Sequence, residues 1–272
     1  MKTVLSILLL AIFSLGTGSL FGQTTGPTRY TNYSYMKVTP EKYGEYIKLE
    51  KAWKKLHMAL KKAGKLDDWS LTEVISPSGS STQYNFVTRN TYLGEAQYAS
   101  TFDQNYMPEN WQSMLTVDEI DLVLRTGEIR TLVKNETWVQ SDLIWSEDTI
   151  SKGKVVVFNY FSIPEGKTNG DHTKVERDIW KPVHQARIKS GTMKGWVLLD
   201  MMLPFGSAYP YSSATIDVYN DMKQYLMQDG WEDTFKKVHP GKDINVLWKQ
   251  TSDACKLVRG EVRLVLDRLS WK

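Results

Sequence analysis

The stretch Trp53-Lys54-Lys55-Leu56-His57 returns 127 residues later as Trp180-Lys181-Pro182-Val183-His184. At this offset, with no gap, 16 of the 46 positions from Trp53 onward are identical, where unrelated segments would share about 3. The identities outside the motif include the pairs Gly64 and Gly191, Trp69 and Trp196, Pro77 and Pro204, Tyr84 and Tyr211, and Tyr92 and Tyr219. The chain is therefore interpreted as two copies of one structural unit.

Each copy predicts the same order of secondary-structure elements. A β-rich run comes first, at residues 30–38 and again at 155–161. A helix follows and ends at Gly64 in the first copy and at Gly191 in the second, because glycine can adopt the left-handed conformation that terminates a helix. Two strands joined by a turn with proline and glycine come next, and a second helical stretch and a last strand complete the unit.

The last strand is predicted from a second repeated motif. Gly127-Glu128-Ile129-Arg130 is answered by Gly260-Glu261-Val262-Arg263 at an offset of 133 residues, and Trp138 by Trp271. Alternation along a strand puts each arginine, Arg130 or Arg263, on one face with its preceding glutamate. Either arginine could form a cross-strand ion pair, or bind a ligand carboxylate through its planar guanidinium.

The element order βαββαβ is that of a ferredoxin-like unit. Two such units in one chain resemble the dimeric α/β-barrel superfamily, whose members put two ferredoxin-like sheets together with the helices outside. We expect an α+β fold in which two ferredoxin-like βαββαβ units pack sheet to sheet as an intramolecular α/β barrel. The predicted divisions are a signal peptide at 1–22, a first unit at 23–140, a linker at 141–153 and a second unit at 154–272.

The N-terminus is typical of a secretory signal peptide. Lys2 is followed by an apolar run at 4–13 and by small residues at 16–19. The apolar run is shorter than the ~20 residues that cross a bilayer, and no later segment is apolar enough, so no membrane span is expected. The protein is predicted to be periplasmic or secreted, and its single cysteine, Cys255, excludes an intrachain disulfide.

Charge and aromatic content narrow the class of partner. The formal net charge of +3 gives no basic footprint for a nucleic acid. The chain has 10 tryptophans, which favours large cores or an aromatic-lined pocket for a small apolar or aromatic ligand. The sequence does not determine the oligomeric state.

The candidate ligand-binding residues are Trp53 with His57, and Trp180 with His184. Four-residue spacing puts each histidine one helical turn from its tryptophan on the same face, which is expected to turn inward. The superfamily resemblance implies ligands in the space between helices and sheet, where an imidazole could ligate heme iron, bind a substrate carbonyl or transfer a proton. The alternative is a structural histidine that donates to a backbone carbonyl.

The second copy adds His172 and Glu176 to the same helix face. His172 and His184 would be about 18 Å apart along a helix axis, so they cannot share one ion. His172 and Glu176 alone supply two ligands where a zinc site needs three or four. We therefore expect no metal site and keep Glu176 as a candidate ligand-binding residue.

Three functions remain compatible with these residues. The first is an exported protein that binds a small molecule in aromatic helix–sheet cavities. The second is an oxidoreductase, either heme-dependent or a cofactor-independent, monooxygenase-like enzyme. The third is a non-catalytic interaction module, in which both histidines are buried without an adjacent void. No motif assigns a catalytic residue or a cofactor, because a Gly-rich phosphate loop and a Gly-x-Ser-x-Gly elbow are both absent from the sequence.

Overall fold

The computed structural model describes residues 26–145, 150–227 and 230–269. The predicted signal peptide lies outside the described residues, and so does Trp271. Within these ranges the protein has the expected α+β fold, and its strands form one closed sheet.

Strands rich in β-branched and aromatic residues build the sheet. They are β1 (Arg29–Lys37), β2 (Asp68–Ser76), β3 (Phe86–Leu93), β4 (Thr131–Ile144), β5 (Val155–Ser162), β6 (Gly195–Leu203), β7 (Ser213–Tyr219) and β8 (Lys256–Arg268). Every pairing among them is antiparallel, and their order is β1-β3-β2-β8-β5-β7-β6-β4, with β4 returning to β1. The result is a closed eight-stranded barrel.

The strands of the two halves follow the same internal order. The first half contributes β4-β1-β3-β2 and the second contributes β8-β5-β7-β6. Hydrogen bonds between β2 and β8 and between β4 and β6 join the two groups edge to edge. Two sheets stacked face to face would leave four unpaired edges, whereas this closure pairs all of them. The inner faces therefore surround a single core, in place of the sheet-to-sheet packing that the sequence predicted.

Helices cover the outside of the barrel. They are α1 (Tyr43–Lys62), α2 (Gly94–Ala99), α3 (Val117–Leu124), α4 (Thr126–Ile129), α5 (Asn169–Val175), α6 (Lys181–Ser190), α7 (Met222–Leu226), α8 (Trp231–Val238) and α9 (Ile244–Ala254). In the first half, Leu49 and Leu60 of α1 pack against Trp69 and Phe86 on the outer face of the sheet. None of the helices in the described ranges combines the length and apolar character that a membrane crossing requires.

The predicted second-copy helix is interrupted. A π-helical turn, Glu176–Trp180, joins α5 to α6, and such turns are frequent at irregular or functional points of helices. The helix then ends at Gly191, whose φ of 79° lies in the left-handed region, as its position in the sequence predicts.

The prediction of the last strand is wrong for the first half. Thr126–Ile129 forms the helical turn α4, and Arg130 comes before β4, whereas Gly260 and Arg263 lie within β8. The Gly-Glu-Ile-Arg sequence suits either a strand or a helical turn, and packing of α3 and α4 against α1 selects the turn in the first half.

Strand pairing gives the true correspondence between the two last strands. Glu136 lies opposite Tyr33 across β4 and β1, and Arg259 lies opposite Tyr160 across β8 and β5. The equivalent positions are thus separated by 123 residues, not 133. Strand β4 also continues to Ile144, so residues 141–144 are strand and not part of a linker.

Candidate functional site

The interior of the barrel is divided into two ends. Alternation along each strand sends every second side chain inward, and Tyr33, Trp138 and Phe158 meet near the middle. The ring of Phe158 is 5.3 Å from that of Tyr33 and 5.8 Å from that of Trp138. On one side of these rings lies a set of charged and phenolic groups, and on the other side lies a cavity. We call these the sealed end and the open end.

The carboxylate of Glu136 is the centre of the sealed end. Five side chains donate to it: Tyr35 (2.6 Å), Tyr211 (2.6 Å), Lys134 (2.7 Å), Trp138 (3.2 Å) and Tyr209. Burial alone would raise the pKa of Glu136, but the charge of Lys134 and the hydrogen bonds of the tyrosines outweigh burial and lower it. The carboxylate therefore stays ionised inside the barrel.

A second buried carboxylate, Glu261, completes the sealed end. It accepts hydrogen bonds of 3.0 and 2.7 Å from Arg263, forms a 2.7 Å ion pair with Arg259, and accepts a hydrogen bond from Tyr84. Arg263 also donates to the Tyr160 hydroxyl at 2.6 Å, and this hydroxyl is 2.9 Å from that of Tyr35. Both carboxylates thus belong to one connected network, which fills this end of the barrel.

A cavity of about 400 Å³ occupies the open end. Its apolar wall comes from Leu143, Trp145, Ile150, Val197, Leu199 and Ile216, and its polar groups include Tyr33, Thr91, Gln140, Asp68 and Arg89. Small-molecule sites usually have volumes of about 300–1,000 Å³, an apolar lining and a few placed polar groups. The cavity therefore has the size and composition of a ligand site.

Asp68 binds two arginines beside the cavity. The Nε atom of Arg268 is 3.2 and 3.0 Å from the two carboxylate oxygens, and Arg89 donates to Asp68 through Nη2. Burial lowers the pKa of Arg268, and the nearby charge of Arg89 lowers it further. Two guanidinium groups and one carboxylate leave a positive charge at the open end.

The two predicted histidines lie outside the barrel, between a helix and the sheet. The His57 ring is stacked 6.1 Å from that of Trp53 and 5.6 Å from that of Trp69, and the His184 ring is stacked 5.5 Å from that of Trp196. Burial lowers the pKa of each imidazole to about 3, so both are neutral at physiological pH.

The predicted histidines do not line the cavities described here. Besides the barrel cavity, cavities of about 250, 720 and 380 Å³ lie outside the barrel. None of these four is lined by a histidine, within the described part of the chain. The aromatic-walled cavity thus lies inside the barrel, and not in the helix–sheet layer where the sequence placed it.

Trp53 and Trp180 fasten helices to one another. The indole of Trp53 donates to Thr126 at 3.4 Å, and that of Trp180 donates to Thr251 at 3.0 Å. Each threonine belongs to the helical segment that precedes the last strand of its half. The two tryptophans therefore have equivalent contacts, and these contacts hold the outer layer together.

Glu176 lies in a buried polar cluster beneath the π-helical turn. Its Oε1 is 3.2 Å from Nε2 of His172, whose Nδ1 is 2.8 Å from the hydroxyl of Ser213. The predicted proximity of His172 and Glu176 is thus observed. No group of three or more His, Cys, Asp or Glu side chains among the described residues is arranged to hold a metal ion.

The two predicted arginines occupy different environments. Arg130 forms a 2.7 Å ion pair with Glu50 of α1, outside the barrel, whereas Arg263 is paired with Glu261 inside it. Both therefore form the ion pair that was one of the two interpretations of the sequence. Their positions are not equivalent, because the repeated tetrapeptide was aligned across a helical turn and a strand.

Each half carries the same outer cluster of one histidine, one tryptophan and one Asn or Asp. The members are His57, Trp69 and Asn90 in the first half, and His184, Trp196 and Asp217 in the second. In both clusters the histidine Nδ1, the indole Nε1 and the Oδ1 oxygen are buried and have no hydrogen-bond partner among the described residues. The two halves differ in charge, because Asp217 stands where the first half has Asn90.

Replacing Asp217 by Asn is expected to stabilise the protein at pH 7. Burial raises the pKa of Asp217 to about 6, against 3.8 in a solvated carboxyl. The unfolded chain therefore releases this proton first as the pH rises from 3.8 to 6, and the folded state loses about 2–3 kcal/mol over that window. D217N should recover this free energy of unfolding at pH 7 and gain little at pH 3.5, as measured by urea unfolding. The exposed Asp103 provides the control, since D103N should have almost no effect at either pH. Equal stabilisation by D217N at both pH values would contradict the explanation.

Comparison with known proteins supports the fold. No family model matches the chain, and no curated protein matches it. Among solved structures, a candidate monooxygenase from Fusobacterium nucleatum superimposes with a TM-score of 0.53 and 10% identity, covering 91% of this chain and 96% of its own. A second candidate monooxygenase, from Lactobacillus acidophilus, gives a TM-score of 0.50 and 10% identity, covering 89% and 94%. These neighbours share the fold alone.

The neighbours have the monooxygenase-like dimeric α/β-barrel fold, so the resemblance inferred from element order is confirmed at that level. Sequence reasoning missed the cavity residues Tyr33, Asp68 and Arg89. Their period of two along β1, β2 and β3 was available as a signal, but only the strand register shows that they meet.

Proposed function

We propose that the protein binds a small, largely apolar molecule inside its barrel, in the cavity of the open end. One observation carries the proposal: a cavity of about 400 Å³ with an aliphatic and aromatic wall lies within a closed sheet. Burial of apolar ligand surface there supplies a driving force of about 25 cal/mol per Å².

The rigidity of the wall supports this assignment. Residues of six strands line the cavity, from Arg29 of β1 to Ile216 of β7, and each of these strands is hydrogen-bonded on both sides. A preformed wall loses little conformational freedom when a ligand binds, so more of the contact energy appears as affinity. The ligand site thus moves from the helix–sheet spaces beside His57 and His184 to the barrel interior.

Filling the cavity tests the proposal. Val197 is only 3% exposed and lines the cavity, so V197F should place a ring in the space that the ligand needs. The same substitution at Val117, which is 83% exposed on α3, is the matched control. We expect binding of small aromatic compounds, measured by calorimetry, to weaken at least about tenfold in V197F and to be unchanged in V117F. Equal affinity in all three proteins would contradict the proposed site.

The proposal includes the origin and location of the protein. We infer that its halves are duplicated ferredoxin-like units, on the support of the shared 127-residue repeat, the equal strand order and the two His–Trp–Asx clusters. The charged and apolar pattern of residues 1–22 supports export to the periplasm or the medium.

A second candidate is a monooxygenase-like oxidoreductase that needs no cofactor. The observation in its favour is that the two fold neighbours are named as candidate monooxygenases. In that case the barrel cavity would hold the substrate, and dioxygen consumption in the presence of a bound electron-rich phenol would separate turnover from simple binding. The heme-dependent form fits less well, because neither His57 nor His184 lines any of the four cavities.

A further inference from the structure

Two hydrogen-bond donors at the open end have no acceptor in the protein. Tyr33 on β1 and Arg89 on β3 lie directly opposite each other, and both line the cavity. Arg89 uses Nη2 for Asp68 and Nε for Ser70, at 3.2 Å in the second case. Neither its Nη1 nor the Tyr33 hydroxyl has a hydrogen-bond acceptor among the described residues.

The charge at this end is unbalanced. Asp68 is paired with both Arg89 and Arg268, which leaves one positive charge beside the cavity. The rim does not offset it, because Arg29 is already paired with Asp67 at 2.7 Å. Charged groups held next to an apolar cavity are costly unless a counter-charge reaches them. A single negative charge on the ligand would supply it.

We propose that the cavity is built for an apolar, monocarboxylate ligand whose carboxylate accepts hydrogen bonds from Tyr33 and Arg89. This inference rests on the proposed function of the cavity and names its ligand class. A planar carboxylate matches the planar guanidinium and has the single charge that the site lacks. A phosphate dianion would bring two charges against one, into a wall that is mostly aliphatic and aromatic.

The test compares two probes of nearly the same shape, 1-naphthoate and its neutral amide, 1-naphthamide. Calorimetry at low salt should show that the wild-type protein binds 1-naphthoate at least about tenfold more tightly than 1-naphthamide. The preference should shrink as salt is added, since a charge–charge contact at a partly open site is screened.

Variants assign the preference to the two donors. In R89M the ratio of the two affinities should fall towards one, while Asp68 keeps its ion pair with Arg268. Tyr33→Phe removes only the hydroxyl, so it should weaken 1-naphthoate severalfold and leave 1-naphthamide unchanged. R125M is the matched control, since Arg125 lies on the outer helical layer and pairs with Glu45 and Asp121.

The possible outcomes separate the two proposals. If 1-naphthamide binds as tightly as 1-naphthoate, and V197F weakens both, the carboxylate inference is overturned and the cavity site stands. If the preference persists in both R89M and Tyr33→Phe, the assignment to these donors is overturned. If neither probe binds the wild-type protein, the proposed function itself fails.

Discussion

Substituting Arg263 by Met is expected to lower the free energy of unfolding by about 3–5 kcal/mol. Arg263 is 2% exposed and Glu261 is fully buried, and the two side chains are joined by hydrogen bonds of 3.0 and 2.7 Å. R263M leaves the Glu261 carboxylate inside the barrel with only Arg259 and Tyr84 as partners, and it removes the donor to Tyr160. A buried charge that loses its partner costs far more than a surface pair.

Urea unfolding followed by circular dichroism measures this effect. The double variant E261Q/R263M should be more stable than R263M, because removing both charges leaves no unpaired ion in the barrel. R125M, which breaks an exposed ion pair, should change the free energy of unfolding by less than about 1 kcal/mol. A loss below about 1 kcal/mol in R263M would show that the sealed end is not a coupled network.

Acid is expected to destabilise the protein through its two outer histidines. Burial lowers the pKa of His57 and His184 to about 3, whereas an unfolded chain binds these protons near pH 6.5. Above pH 6.5 both states are neutral and nothing is lost. As the pH falls from 6.5 towards 3, only the unfolded state gains these protons, so stability decreases by up to about 1.4 kcal/mol per pH unit for each histidine.

The measurement is the pH dependence of the free energy of unfolding for the wild type and for H57F/H184F. Phenylalanine keeps a ring stacked on Trp69 or Trp196 but binds no proton. The wild-type slope should exceed that of the double variant by up to about 2.7 kcal/mol per pH unit near pH 4.5. Identical slopes would mean that the two imidazoles are protonated in the folded protein.

The overall fold was accessible from the sequence because its signals are local. The repeat at Trp53 and Trp180, the β-rich run at 155–161 and the helix stop at Gly191 each depend on neighbouring residues, and the structure contains the corresponding elements. The motif at Arg130 misled the alignment, because four residues cannot distinguish a helical turn from a strand without their packing.

The site was less accessible because it depends on register. Tyr33 and Arg89 are 56 residues apart in the chain and become neighbours only through the pairing of β1 with β3. The cavity further depends on Val197 and Ile216 being too small to fill the barrel, which no single strand reveals. The histidines were correctly placed on an inward helix face, yet only their stacking on Trp69 and Trp196 shows how they are buried.

The central claim is that ligands enter the barrel, and a crystal structure of the protein grown with 1-naphthoate tests it most directly. We expect the naphthalene ring between Trp145 and Val197, with its carboxylate turned towards Tyr33 and Arg89. A ligand bound between helix and sheet beside His57 or His184, with the barrel cavity unchanged, would contradict the account.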